Sequence, residues 1–377
     1  MNRIEKKILY LLKGVSSIIN RRISNFYVKN SRIDYWTDLT KNRLINLPPT
    51  DLSQDEQKGI SNFYKKYFNI KINPLFHQFY KAATGQFNIR YIPDDLYYTY
   101  IDPYYNDWEN AVNMDNKVLY RIYFPDVKQP ELVCYRHNSI WFDGNGEPLH
   151  DADIADLISL SGLCFIKKAT ASMGGHGISV IDSGTDSECI KNELNKFEGD
   201  IIIQKGLQQS KDLSKLNSSS VNTIRIMTFL RKDGSIKICS SILRMGIEGS
   251  RVDNASSGGI TIGVDIEGNL NDKAFAPSGQ SYSVHPSSRV SFSGIKIPNF
   301  EKVIDLVSKL ALIFPQFRLI SWDIALDESN NPVLIETNLF VGELEFHQLN
   351  NGPLFGEETE TILREIASNP KKLKYPF

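Results

Sequence analysis

The sequence predicts an α+β fold, and three features carry that expectation. Residues 221–230 and 235–244 are β-branched, apolar runs on either side of Asp233-Gly234, a strong hairpin turn signal. Residues 163–204 read as strand, glycine loop, strand, helix, strand. Residues 301–314 form an amphipathic stripe that ends at Pro315 and leads into two apolar strands, 319–326 and 332–338.

At 377 residues the chain can bury one large or two ordinary cores. Its 43 Lys and Arg balance 44 Asp and Glu, so it lacks the cationic excess that gripping nucleic acid over the whole surface requires, and no nucleic-acid partner is expected. Pro and Gly, 16 and 24, are too few for a fibrous or disordered chain. Cys134, Cys164, Cys189 and Cys239 form no C-x-x-C pair, which points to a reduced, cytoplasmic setting without structural zinc or disulfides.

The amino end departs from this neutrality. Residues 1–30 hold seven basic side chains (Arg3, Lys6, Lys7, Lys13, Arg21, Arg22, Lys29) against Glu5 alone, an excess of six charges. Ile4, Ile8, Leu11, Leu12, Val15, Ile18 and Ile19 recur at helical spacing. Such a helix can lie on an anionic membrane at the inner face, or dock against the rest of the chain. Its apolar run is too short to span a bilayer, and Lys13 interrupts any secretory core. Twelve of the 17 tyrosines fall between Tyr64 and Tyr135, and are expected mainly as packing mass, with sugar stacking the alternative.

The glycine loop at 170–177 opens into a β-branched strand rather than a helix, so it is neither a P-loop nor a dinucleotide-binding turn. Glycines between two antiparallel strands can still bring backbone N–H groups close to phosphate oxygens, although an ordinary hairpin reads the same. If the turn at Asp233-Gly234 pairs Lys232 with Ser235, Thr223 faces Arg244 and Arg225 faces Ile242. Arg225 and Arg244 then share a face, where an anion between them relieves their repulsion; two solvated surface arginines are the alternative. The loop Asn254 to Gly258-Gly259 has the composition of a close approach to a ligand or of a plain turn, and His285 stands in a Pro/Ser/Gly-rich segment.

Pairing 319–326 with 332–338 symmetrically about a turn at 327–332 sets Asp323 opposite Glu336 and Ser321 opposite Asn338. Ile320, Trp322, Ile324 and Leu326 take the apolar face, so Asp323, Glu336 and Asn338 converge on the other. Facing carboxylates repel, and a hard divalent cation such as Mg²⁺ removes the repulsion. A shifted register or a solvent-facing acidic hairpin would leave no such site.

With these pieces placed, Trp322-Asp-Ile-Ala and Leu334-Ile-Glu-Thr-Asn338 resemble the ATP-grasp superfamily. Val221-Asn-Thr-Ile-Arg225, Leu243-Arg-Met-Gly246 and Val252-Asp-Asn254 with Gly258-Gly259 are similar in particular to its sugar-transfer associated family, over roughly residues 80 to 365. The resemblance implies two α+β lobes clasping ATP, phosphorylation of a carboxylate to an acylphosphate, and attack by an amine to give an amide. It implies small carboxylate and amine substrates, an amino acid and a sugar acid or sugar nucleotide, in bacterial polysaccharide or capsule synthesis. A kinase, or a nucleotide-binding scaffold without turnover, stays open beside the ligase.

By the same resemblance Lys167, or Lys168 beside it, is the strand lysine on the ATP phosphates, Ser172, Gly174 and Gly175 are the phosphate lid, and Lys117 is the earlier nucleotide lysine. Gln204, Lys205 and Leu207 form the adenine hinge, with Gln204 where relatives often carry Glu. Arg225 and Arg244, with Asn222 in the same motif, steady the transferred phosphoryl group. Asn254, Gly258, Gly259 and His285 are the substrate candidates, and Asp323, Glu336 and Asn338 the magnesium ligands. The implied organisation is a basic segment at 1–32, a mixed domain at 33–112 that takes the acceptor, and a catalytic domain at 113–377 with lobes at 163–207 and 208–365.

Overall fold

The structure, a computed structural model, describes residues 3–68, 70–170, 177–247, 249 and 258–369, with side chains of the first helix from Ser24 onward. Residues up to Tyr104 together with those from Phe355 form one compact unit, and Tyr105–Leu354 form a second.

The first unit is helical. Arg3–Leu44 is one helix, followed by Gln54–Lys65 and Leu75–Thr84. The second of these starts at a capping box: Ser53 Oγ accepts from the Glu56 N–H while the Glu56 carboxylate accepts from the Ser53 N–H, which satisfies donors left over at the helix start. Leu75–Thr84 stops at Gly85, whose φ of 76° closes the helix in the left-handed conformation. Aromatic rings fill the interior. Trp36 stacks on Tyr98 at 3.9 Å and Tyr80 on Tyr91 at 4.6 Å, while Tyr64 and Tyr80 donate their hydroxyls to Tyr91 O and Asp94. Ten of the twelve clustered tyrosines are buried, only Tyr67 and Tyr123 being partly exposed, so this cluster is packing mass. No helix among the described residues is long and apolar enough to cross a membrane.

The second unit is built on two antiparallel sheets. The five-stranded sheet comprises β1 (Leu132–His137), β2 (Ile140–Asp143), β3 (Cys164–Lys168), β4 (Ile178–Ile181) and β5 (Ile201–Lys205), in the order β2-β1-β5-β3-β4. The seven-stranded sheet has the order β10-β9-β8-β7-β6-β11-β12. Its strands are β6 (Thr223–Leu230), β7 (Ile236–Met245), β8 (Ile260–Val264), β9 (Leu270–Phe275), β10 (Ser281–Tyr282), β11 (Leu319–Leu326) and β12 (Pro332–Asn338). The helix Phe300–Leu310 lays Val303, Val307 and Leu310 against Ile224, Ile226, Trp322 and Ile324. The Trp322 ring N–H, fully buried there, donates to Thr228 Oγ1 at 2.9 Å. With two antiparallel sheets and interspersed helices, the architecture is α+β as expected.

Both site-bearing hairpins reach the expected register by an unexpected route. Thr223 pairs with Arg244 and Arg225 with Ile242, and Asp323 pairs with Glu336 and Ser321 with Asn338. The turns, however, are one residue longer or shorter than assumed. Arg231 N–H donates to Ser235 O, so three residues lie between the paired ends, the last being Gly234 at φ 83°. Asp327 N–H likewise donates to Asn331 O, with Asn330 at φ 59°. Each hairpin then inserts a bulge, between Met227 and Thr228 and between Asp323 and Ile324, which restores the register at the site.

Candidate active site

The polar face of the seven-stranded sheet gathers the charged residues. Asp323, on the central part of β11, is flanked by β6 and β12: it pairs with Arg225 on one side and with Glu336 on the other. Arg225 donates from Nε to Asp323 Oδ1 at 2.7 Å and from Nη2 to Oδ2 at 2.6 Å, and Arg244 Nη1 donates to Oδ2 at 2.9 Å. All three side chains are buried, at 4–5% exposure. The anion that two neighbouring guanidinium groups require is therefore Asp323 itself. Burial raises its carboxyl pKa, but the two arginines outweigh that and hold it at about 2. Burial likewise disfavours the charge on Arg225, and Asp323 and Glu343 overcome it and raise its pKa.

Glu336 is the more open carboxylate. Its side chain is 25% exposed, and Lys117 Nζ, 7% exposed, donates to Oε1 at 2.7 Å. Burial lowers the Lys117 pKa, and Glu336 and Asp115 more than restore it. Asn338 follows on the same face, and its Nδ2 is buried with no hydrogen-bond partner among the described residues.

The five-stranded sheet collects the second group. Lys167 and Lys168 point to opposite faces of β3, and Lys167 is the one that shares a face with Gln204: its Nζ donates to Gln204 Oε1 at 3.1 Å. Lys168 is exposed and lies along Gly177. Gln204 is buried, Lys205 pairs with Glu131 at 2.6 Å, and Leu207 is half-buried beyond the strand end. The Lys117 N–H donates to Ala169 O at 2.9 Å, so the segment that meets Glu336 also touches the end of the lysine strand.

Asn222 and His285 are engaged with other parts of the chain. Asn222 is fully buried, and its Nδ2 donates to Gln209 Oε1, Leu213 O and Asn217 O at 2.8–3.1 Å, tying together the segment that precedes β6. His285 is completely buried: its Nε2 lies 3.0 Å from Gly246 O and its Nδ1 accepts from the N–H groups of Ser287 and Ser288. Burial lowers its pKa, and both nitrogens are already engaged with backbone. Gly258, at φ 93°, and Gly259 lead into β8, whose Thr261 pairs with Arg244. Ser172, Gly174, Gly175 and Asn254 lie outside the described residues.

Three further residues complete the cluster, and no motif had marked them. The Glu343 carboxylate takes Nη1 of Arg225. Asp115 is half-buried beside Glu336, and desolvation together with the Glu336 charge pushes its pKa up to about 6. Tyr120 joins Asp115 to Thr337. Asp115 stands two residues before Lys117, so that spacing was the one signal available; Glu343 and Tyr120 left none.

The donor set fits a hard divalent cation in its chemistry: two carboxylates, Asp323 and Glu336, and the amide oxygen of Asn338. Among the described residues no three His, Cys, Asp or Glu side chains come together as a metal cage.

The fold has many solved counterparts. D-alanyl-alanine synthetase A from Vibrio cholerae shares 12% identity at a TM-score of 0.41, over 68% of this chain and 65% of that one. The ATP-grasp ligase PsnB shares 14% at 0.39, over 69% and 63%, and the ADP complex of N5-carboxyaminoimidazole synthetase from Staphylococcus aureus shares 9% at 0.39, over 70% and 52%. The chain thus spans between half and two-thirds of the length of these solved chains. No curated protein matches. The family match, over residues 97–363, makes the fold class that of the ATP-grasp enzymes. The model of the sugar-transfer associated ATP-grasp family matches residues 97–363, and the chain belongs to that family.

Proposed function

We propose that this chain is an ATP-dependent carboxylate-amine ligase that forms an amide through an acylphosphate, joining an amino acid or amine to a sugar acid in bacterial polysaccharide synthesis. One observation carries the reading: in a chain of the sugar-transfer associated ATP-grasp family, Lys117, Arg225 and Arg244 surround a facing pair of carboxylates, Asp323 and Glu336.

A carboxylate is a poor electrophile, and phosphorylation gives it a leaving group. Phosphoryl transfer asks a protein chiefly for positioning and neutralisation of charge. Lys167 and Gln204, on one face of the five-stranded sheet, are the contacts for the nucleotide, and Arg225 and Arg244 the contacts for the transferred phosphoryl group and the acylphosphate. Glu336, Asn338 and Asp323 are the residues that would hold Mg²⁺, which when bound neutralises phosphate oxygens. Glu336 has one oxygen, Oε1, on Lys117, whereas both oxygens of Asp323 are held by arginines, so Asp323 must give up an arginine contact; an incoming phosphate can take over that arginine.

Residues 1–30 are the proposed contact with an anionic membrane surface on the cytoplasmic side. Their excess of basic residues supports this, as does the helix Arg3–Leu44, which exposes Phe26 by 61% and Tyr27 by 69%.

The test is turnover by the full chain with ATP, magnesium and panels of uronic acids and amines, followed by ADP release and product mass. ADP release is expected only when acid and amine are both present, and hydroxylamine in place of the amine is expected to give the hydroxamate of the acid. A stable phosphorylated product without amine would make the chain a kinase, and no nucleotide turnover with any pair would leave a scaffold.

A further inference from the structure

Among the described residues the strand that carries Glu336 and Asn338 is an edge strand: β12 pairs with β11 on one side and with no described strand on the other. An edge leaves backbone N–H groups unpaired, and here they are received by the segment 115–128. The Leu334 N–H donates to Lys128 O and the Thr337 N–H to the hydroxyl of Tyr120, both at 2.9 Å. These two N–H groups stand three residues apart, which in a regular strand would send them to opposite sides. The bulge near Ile335 turns both outward.

The tyrosine contact is reinforced on every side. The Tyr120 hydroxyl donates to Asp115 Oδ1 at 2.9 Å and lies 2.9 Å from Thr337 Oγ1, and the Thr337 hydroxyl reaches Asp115 Oδ1 at 3.2 Å. Tyr120 is 3% exposed and Thr337 1%. Two consecutive residues of the edge strand are therefore gripped by side chains one helical turn apart: Glu336 by Lys117, Thr337 by Tyr120.

We infer that Tyr120, with Asp115 behind it, is a positioning residue for the cation site: its hydroxyl takes the place of a neighbouring strand and fixes where Glu336 and Asn338 point. The inference rests on the proposed role of those two residues as ligands. An edge strand held at one face only twists freely, and a shift of about half an ångström is enough to spoil a ligand set.

The experiment uses the full chain, Mn²⁺ as a spectroscopic probe and a non-hydrolysable ATP analogue, with binding read by electron paramagnetic resonance. Tyr120→Phe is expected to weaken Mn²⁺ binding about tenfold, the scale of one or two lost hydrogen bonds. Thr337→Ser, which keeps both the N–H and the hydroxyl, is expected to bind as the wild type does. Amide exchange in the Tyr120→Phe protein is expected to quicken in Leu334 to Asn338 while β6 and β7 keep their protection, which separates local positioning from general unfolding. If Glu336→Gln abolishes Mn²⁺ binding while Tyr120→Phe binds as tightly as wild type, the positioning role is overturned and the ligand reading stands. Wild-type protein that binds no Mn²⁺ overturns both. Should Tyr120→Phe not fold, Asp115→Ala, which removes the acceptor that orients the Tyr120 hydroxyl, is expected to weaken Mn²⁺ binding in the same direction, and unchanged Mn²⁺ affinity in it overturns the inference.

Discussion

Arg225 holds Asp323 from the adjacent strand by both oxygens, Nε on Oδ1 at 2.7 Å and Nη2 on Oδ2 at 2.6 Å. The planar fork matches the carboxylate because the register sets the two residues directly opposite, and Arg244 closes the third side. An arrangement buried this deeply has structural as well as chemical consequences.

Asp323→Asn removes the charge that lies between two buried guanidinium groups. Breaking a buried pair in this way typically costs about 3–5 kcal/mol. Urea unfolding of the variant is expected to show a loss of that order, and an unchanged midpoint would refute the buried network.

Glu336→Gln is expected to separate chemistry from stability. The side chain is partly exposed, and a glutamine oxygen can still accept from Lys117. ATP turnover is expected to fall at least about a hundredfold, the scale of removing a group that stabilises transferred charge, with a smaller loss in urea midpoint than for Asp323→Asn. Retained turnover would remove Glu336 from the mechanism.

Gly342 is packed against the sheet, and its neighbours Val341 and Glu343 both hold positive φ, 55° and 60°. A Cβ at 342 would lie 2.5 Å from Ser321 Oγ and 2.8 Å from Met227 Cε. Gly342→Ala is expected to cost about 1–3 kcal/mol and to displace Glu343 from Arg225. Thermal unfolding together with the turnover rate measures both effects, and wild-type behaviour in both would count against a tightly fitted loop.

Acid is expected to destabilise the protein partly through His347. It is fully buried, its Nδ1 meets Ser240 Oγ at 2.9 Å, and burial followed by the charge of Arg225 lowers its pKa to about 3. The unfolded imidazole takes its proton near 6.5, so between about 6.5 and 3 the unfolded state binds more protons and stability falls as pH falls. Melting temperatures from pH 7 down to pH 4 are expected to decline less steeply in His347→Gln than in the wild type. Equal slopes would show that this histidine is protonated in the folded state.

The two hairpins show how far local pattern reaches. Alternation of apolar residues placed Asp323 on the polar face and Arg225 beside Arg244, because the pleat repeats every two residues whatever the rest of the fold does. The turns were misjudged by one residue, and bulges near Cys239 and Ile335 cancelled the error. Only the pairing partner dictates where a strand takes up an extra residue, and sequence pattern carries no trace of it. The choice between Lys167 and Lys168 was of the same kind: alternation separates them, but which face holds Gln204 depends on β5 lying beside β3.

Alone, the amino-acid sequence determined the α+β class, the hairpins, the family's motifs and the polarity of each strand face, since all of these follow from spacing along the chain. Tertiary structure decided which cation neutralises which carboxylate. Tyr120 and Thr337 stand 217 residues apart, and Arg225 and Glu343 118, and such contacts arise from where a sheet edge and a loop come to rest rather than from any period in the sequence. It also turned His285, read as a loop residue, into a buried backbone pin, because a ring surrounded by carbonyl and N–H groups is fixed by its neighbours in space and not by its neighbours in the chain.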